Sequence, residues 1–198
     1  TPLANDISAE AVSPHNVLEN EAYTPIVTVG NPGTNDMSAF DVSVEIVDGS
    51  GTEVYASTTT YSETLTSGET ADIPMPDAWT ATPGGDYALT GFVIAGDEDP
   101  NNDTAQAILT VITPEYEAGK VYAYNSYDAA SSSGLADHFV TLDVNTGIMS
   151  DLTASTTSNF IGCGDYVDGV IYGVENSTNN LYVLSGNGQH GNLGAIQG

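Results

Sequence analysis

The chain has 198 residues, 40% of them hydrophobic, which fits one large or two small folded domains and not a disordered chain. Against 27 Asp and Glu stands one basic residue, Lys120, for a formal charge of -26. So few cations cannot neutralise phosphate, which excludes nucleic acid and anionic membrane surfaces as partners. The carboxylates must then be solvated, bonded to backbone N–H groups, or neutralised by metal ions, with calcium first because it takes several oxygen ligands. Thr1–Asp6 has neither the charged start nor the apolar run of a signal peptide. No stretch approaches the roughly 18 apolar residues of a membrane helix. The Thr-, Ser-, Asn- and Gly-rich character points to secretion, so a mature form or a fragment is expected. Ile7–Val12 and Pro25–Val29 read as the first strands, with a turn at Asn31-Pro32-Gly33. Val42, Val44 and Ile46 alternate with Ser43 and Glu45, the period-two pattern of a half-buried strand. Asp48-Gly49-Ser50-Gly51 supplies a tight turn into Glu53-Val54-Tyr55. Thr70–Ile73, Tyr87–Ala95 and Ala105–Ile112 complete about seven short strands, the spacing of a β-sandwich. No amphipathic helix longer than two turns is found.

Thr113-Pro114-Glu115-Tyr116-Glu117-Ala118-Gly119 reads as a boundary, with Pro and Gly between regions of different texture. We therefore expect a sandwich over residues 1–113, a linker over 114–119 and a second β region over 120–198. That region carries an internal repeat. Val121-Tyr122-Ala123-Tyr124 is echoed by Ile171-Tyr172-Gly173-Val174, and Phe139-Val140-Thr141-Leu142 by Leu181-Tyr182-Val183-Leu184. A period of about 40–50 residues with paired strands and Gly turns is propeller-like. A propeller needs at least about four blades, and this chain supplies at most two. The expectation is a fragment, or an open sheet whose edges pair with another copy.

Five blocks in order carry a family resemblance: Pro25–Gly33, Phe40–Ile46, Leu65–Thr70, Pro83–Leu89 and Gly96–Thr104. Through them residues Ile7 to Val111 resemble the CARDB family, the cell adhesion related domain found in bacteria. The resemblance implies an immunoglobulin-like fold used as a spacer or adhesive module outside the cell, often exported by the type IX system. It also places Trp79 where such domains put a core aromatic. The sorting domain that ends such proteins is not found in this sequence, which again fits a fragment or an unusual member. Lys120–Gly198 is similar to the opening of propeller-like regions in large secreted bacterial proteins.

Asp97, Asp99, Asn101 and Asp103 place oxygen ligands at alternating positions, like the start of a calcium loop. Pro100, the lack of a glycine at the sixth position and the lack of a distal Glu stand against it, and the resemblance implies instead that the Asn pair sits at a strand turn with Asx side chains bonded to local backbone. Gly85-Asp86-Tyr87 has the form of a tyrosine corner, and Trp79 is a core candidate, with sugar stacking as the alternative. Tyr116, Tyr122, Tyr124, Tyr127, Tyr166, Tyr172 and Tyr182 crowd the second region, suited to sheet packing or to binding glycans or a protein partner. Thr104 sits in an Asp-Thr-Ala tripeptide of the kind bacteria O-glycosylate, and Asn102 and Asn176 head N-glycosylation sequons.

His15, His138 and His190 lie far apart in sequence. Asp137-His138 near Ser131-Ser132-Ser133-Gly134 has the residue types of a hydrolytic triad without a nucleophile-elbow motif. Cys163 is the only cysteine, so no disulfide forms within the chain, and with almost no positive charge to lower its pKa it reads as a buried structural residue. No catalytic residue is assigned. The leading expectation is a non-catalytic extracellular structural or adhesive protein that assembles with copies of itself or with other surface proteins through strand edges. The alternatives are a carbohydrate-binding or spacer appendage of a larger secreted hydrolase, and a calcium-dependent adhesin.

Overall fold

A computed structural model describes residues 3–125, 135, 138–152 and 161–196, and these are all-β. Among the described residues no helix is long and apolar enough to cross a membrane. The chain divides into two compact units, residues 1–111 and 112–198.

The first unit is a two-sheet sandwich. One sheet has the order β1 (Ser8–Ser13), β4 (Ile26–Gly30), β7 (Thr70–Pro74). The other has the order β2 (Asn16–Leu18), β10 (Thr104–Ile112), β9 (Gly85–Ile94), β5 (Met37–Val47), β6 (Glu53–Leu65). A two-residue pair, β3 (Ala22–Tyr23) with β8 (Trp79–Thr80), closes one side. Alternation decides the faces: Phe40, Val42, Val44 and Ile46 of β5 are buried, and Ser43 and Glu45 between them are not. They meet Val12, Val27 and Val29 from the facing sheet, together with Leu89, Leu109 and Val111. Each such side chain contributes about 1.5–3 kcal/mol when fully buried, so this face holds the unit together.

Local chemistry sets the turns. Between β5 and β6 the Asp48 carboxylate accepts from Ser50 N (2.9 Å), Ser50 Oγ (2.6 Å) and Thr52 N (2.9 Å). The Ser50 hydroxyl, then the Thr52 amide, hold the Asp48 carboxyl below its ordinary range. β5 carries a bulge between Ser38 and Phe40, where Ala39 takes φ 56°.

In the second unit two antiparallel meanders stand in chain order. The first is β11 (Val121–Asn125), β12 (His138–Leu142) and β13 (Met149–Asp151). The second is β14 (Ile161–Val167), β15 (Val170–Glu175), β16 (Asn180–Leu184) and β17 (His190–Ala195). Asp168 (φ 48°) and Gly169 (φ 90°) join β14 to β15 as a two-residue turn with both residues left-handed, the form that matches strand twist. The sequence repeat aligns the residues of β11 with those of β15, and of β12 with those of β16. Four antiparallel strands are what a propeller blade contains; among the described residues the two meanders close no ring. Phe139, Ile161, Tyr182 and Leu184 pack between the meanders, with Tyr124, Leu152 and Ile171 against them.

Candidate functional site

The segment ahead of β11 is fastened to the second meander. Ser185, fully buried, donates its hydroxyl to Thr113 O (2.6 Å) and accepts from Glu115 N (3.0 Å). The Tyr116 hydroxyl donates to Leu184 O and accepts from Ile171 N (2.8 Å). Burial raises the Tyr116 hydroxyl above its ordinary pKa, against the Ile171 N–H that lowers it. Tyr116 also meets Tyr122 and Tyr166 edge-on, with ring centroids 5.4 and 5.7 Å apart.

Beside this anchor lies a cleft of about 490 Å³ between the meanders. β11 contributes Tyr122 and Tyr124, and β12 contributes Phe139, whose ring meets Tyr124 at 5.1 Å. The opposite wall is β14, with Cys163, Asp165 and Tyr166, and β15 behind it with Tyr172. Gly164 and Gly173 keep that wall thin. A Cβ at Gly164 would lie 2.5 Å from Tyr172 O, and one at Gly173 would lie 2.7 Å from the Ile161 side chain. Residues 162–167 are exposed, Tyr166 at 60%. Asp165 is the only charged side chain on the cleft walls among the described residues.

An adjoining groove shares Tyr122, Tyr166 and Ile171 with the cleft and also takes in Tyr116, Glu117 and Lys120. Lys120 Nζ pairs with Glu117 at 2.9 Å, and this contact, with the nearby Tyr122, raises its pKa. The single basic side chain of the protein thus sits at the tyrosine cluster.

The remaining sequence candidates divide. Trp79 is buried and meets Tyr23 and Tyr87 edge-to-face, at 5.4 and 5.3 Å. The Tyr87 hydroxyl donates to Pro83 O at 2.6 Å. The acidic loop folds onto itself and onto the N-terminal segment. Asp97 accepts from Ile7 N (2.7 Å) and Asp99 N (3.3 Å), and Asp99 accepts from Asn101 N (3.1 Å) and Asn101 Nδ2 (2.8 Å). Asp103 Oδ1 and Asn102 Oδ1 are buried without a partner, and burial, then the charges of Asp97, Asp6 and Asp99, raise the Asp103 carboxyl. No three acidic, His or Cys side chains among the described residues converge to hold a metal ion. Of the oxygens read as a calcium loop, Asp97 Oδ1 and Asp99 Oδ1 are engaged in Asx turns. Thr104 is exposed at the start of β10, whereas the Asn102 amide donates to Asp6 (3.0 Å).

Cys163 requires a correction: it is exposed, not buried. Its strand is one of the two outer strands of its meander, and the flanking Gly162 and Gly164 have no side chain to cover it. His138 is buried, and its Nδ1 lies 2.9 Å from Asp151 Oδ1. Ser131, Ser132, Ser133, Gly134 and Asp137, and with them Tyr127, lie outside the described residues. Tyr182 is buried; Tyr116, Tyr122, Tyr124 and Tyr172 are half-buried. Sequence reasoning gathered the tyrosines but not the cleft, because its walls come from strands about 40 residues apart in the chain, and only the repeat hinted at their juxtaposition.

No family model matches the sequence, and no curated protein matches it. Solved structures do. A domain of a candidate cell surface protein from Methanosarcina acetivorans is 23% identical, covering 56% of this chain and 94% of that one, with a TM-score of 0.45. The CARDB domain of a Pyrococcus furiosus protein, crystallised in complex with di-metal ions, is 23% identical over 55% of this chain and 90% of that one, with a TM-score of 0.43. The Pyrococcus furiosus domain is of the CARDB family, which the first half of this chain resembles in sequence.

Proposed function

We propose that the chain is a non-catalytic, secreted structural and adhesive protein of the cell surface, which associates with copies of itself or with other surface proteins through strand edges. The observation that carries this reading is β6. It has 13 residues and is one of the two edge strands of its sheet. Outer strands present unpaired N–H and C=O groups, and proteins that avoid pairing guard them with Pro, Lys or short length. β6 contains neither Pro nor Lys, and its acidic residues, Glu53 and Glu63, leave Ala56–Ser62 uncharged between them. The sandwich serves as the rigid spacer that holds this edge. A net charge of -26 opposes association of copies, so assembly requires salt, which shortens the screening length to about 10 Å at 0.1 M.

Sedimentation and negative-stain imaging across a salt series test this. Fibres, sheets or discrete oligomers should appear as salt rises. The double variant Thr58→Glu, Ser62→Glu, at two exposed positions, should abolish them, because like charges then face each other across the paired edges. A monodisperse monomer at every salt concentration, or assembly untouched by the variant, overturns the reading. The cleft of the second unit favours a second reading, a binding appendage of a larger secreted hydrolase, for which saturable glycan binding by a monomer would decide.

A further inference from the structure

We propose that the cleft of the second unit binds an organic ammonium group. Three features of the site converge on that chemistry. Its walls are ring systems, Tyr122, Tyr124, Phe139, Tyr166 and Tyr172, whose faces carry the negative side of the aromatic quadrupole. The one charged side chain on the walls is the Asp165 carboxylate, and an anionic ligand would find no cation among the described residues of the lining. Thirdly, the protein's own ammonium lines the adjoining groove together with two of the same rings. Lys120 lies in the adjoining groove with Tyr122 and Tyr166, paired to Glu117 at 2.9 Å, so that a ring, carboxylate and ammonium arrangement exists one side chain away from the cleft. The charge of -26 further raises the local concentration of cations over that of anions and neutral solutes. This inference is independent of strand-edge assembly: β6 belongs to the other unit.

An ammonium of this kind is presented by a lysine side chain of a protein, by an amino sugar, or by a choline-type head group. The shared chemistry is the cation, and the test separates the sources. Cys163 is the reporter, being exposed on the cleft wall and the only thiol in the chain. The rate of its alkylation by a neutral maleimide is measured at about 0.15 M salt, where non-specific attraction is screened beyond about 8 Å. Choline is compared with its neutral isostere 3,3-dimethylbutan-1-ol, glucosamine with N-acetylglucosamine, and blocked lysine amide with its Nε-acetyl form.

At least one cation should slow alkylation saturably while its neutral counterpart does not, and the strongest of the three names the source. Asp165→Asn and Tyr166→Ala should each weaken protection by roughly fivefold to tenfold, and Tyr166→Phe, which keeps the ring, should restore it. Equal protection by cation and isostere would make the cleft a simple apolar slot. Protection by N-acetylglucosamine alone would make it a neutral glycan site. No protection by any of the three cations up to about 0.1 M would leave no ammonium affinity worth the name. Each of these results overturns the proposal.

Discussion

Asp103 carries a conflict that pH and mutation should expose. Its Oδ1 is buried without a partner, and its carboxyl is raised by burial first and then by the charges of Asp97, Asp6 and Asp99. A carboxyl raised on folding binds its proton more tightly in the native state, so ionising it opposes folding. The cost is fully present above the folded pKa. It fades as pH falls through that value, and it is gone below the ordinary carboxylate range, near pH 4, where native and unfolded chains are both protonated. Asp103→Asn removes the charge but keeps the shape, and supplies an amide able to donate to the surrounding carboxylates. An unsatisfied buried acceptor costs about 1–3 kcal/mol. Because the side chain is only partly buried, the low end applies, and we expect the variant to be more stable by about 1 kcal/mol at pH 7, or about 4 °C in Tm. The gain should vanish near pH 3. The assay is urea unfolding followed by the fluorescence of Trp79, the only tryptophan, buried in the same unit. A destabilised variant at pH 7, or a gain that persists at pH 3, would refute the reasoning. So would a Tm of the native chain that rises with millimolar calcium and ceases to do so in Asp103→Asn, since the orphan oxygen would then have a cation for its partner.

Other substitutions test other contacts. Tyr87→Phe removes the bond to Pro83 O and should cost about 1 kcal/mol in the same unfolding assay, with the Trp79 emission of the native state little changed. Gly91 lies in the centre of β9, where a Cβ would come within 3.1 Å of Val27 and 3.4 Å of Val12 on the facing sheet. Gly91→Val should therefore overpack the sandwich and cost about 1–3 kcal/mol, whereas Gly91→Ala should be close to neutral as the Val27 methyls give slightly. In the second unit Glu175 is buried and accepts from Ser177 Oγ, Thr178 Oγ1 and Asn180 Nδ2, and the two hydroxyls lead in lowering its pKa. Its contribution is present above the ordinary glutamate range and is lost as pH falls through the lowered value. Near-ultraviolet circular dichroism of the tyrosines should show the acid melting of this unit eased in Glu175→Gln.

The sandwich was legible where alternation is strong. The Val42, Val44, Ile46 pattern marked β5 and its buried face, and the long apolar stretches of β9 and β10 stood out for the same reason. β6 was read only at its first residues, since Ser57-Thr58-Thr59-Thr60 is nearly uniform in polarity and an outer strand needs no buried face along its whole length. β2, β3 and β8 are two or three residues long, too short for any period to show. The lack of positive charge around Cys163 argues against a reactive thiolate but says nothing of burial, and only the topology shows that β14 is an outer strand of its meander. The tyrosines were visible as a composition. Their arrangement as a cleft depends on which strands face each other, and that is a tertiary fact.

Lys120 has a further meaning for digestion by proteases. A protease that cuts only after Lys or Arg meets a single target bond in 198 residues, Lys120–Val121, at the very entrance to β11. Everything ahead of that bond, the whole sandwich included, offers such an enzyme nothing to grip. The one cut available falls after Glu117, the pairing partner of Lys120, and after the anchor, in which Tyr116 remains bonded to Leu184 and Ile171, and Thr113 and Glu115 to Ser185. A nick there would leave two fragments still held by those bonds, detectable on a denaturing gel and silent in sedimentation. Digestion by a trypsin-like protease followed by both methods thus measures how firmly residues 113–117 clamp the second unit.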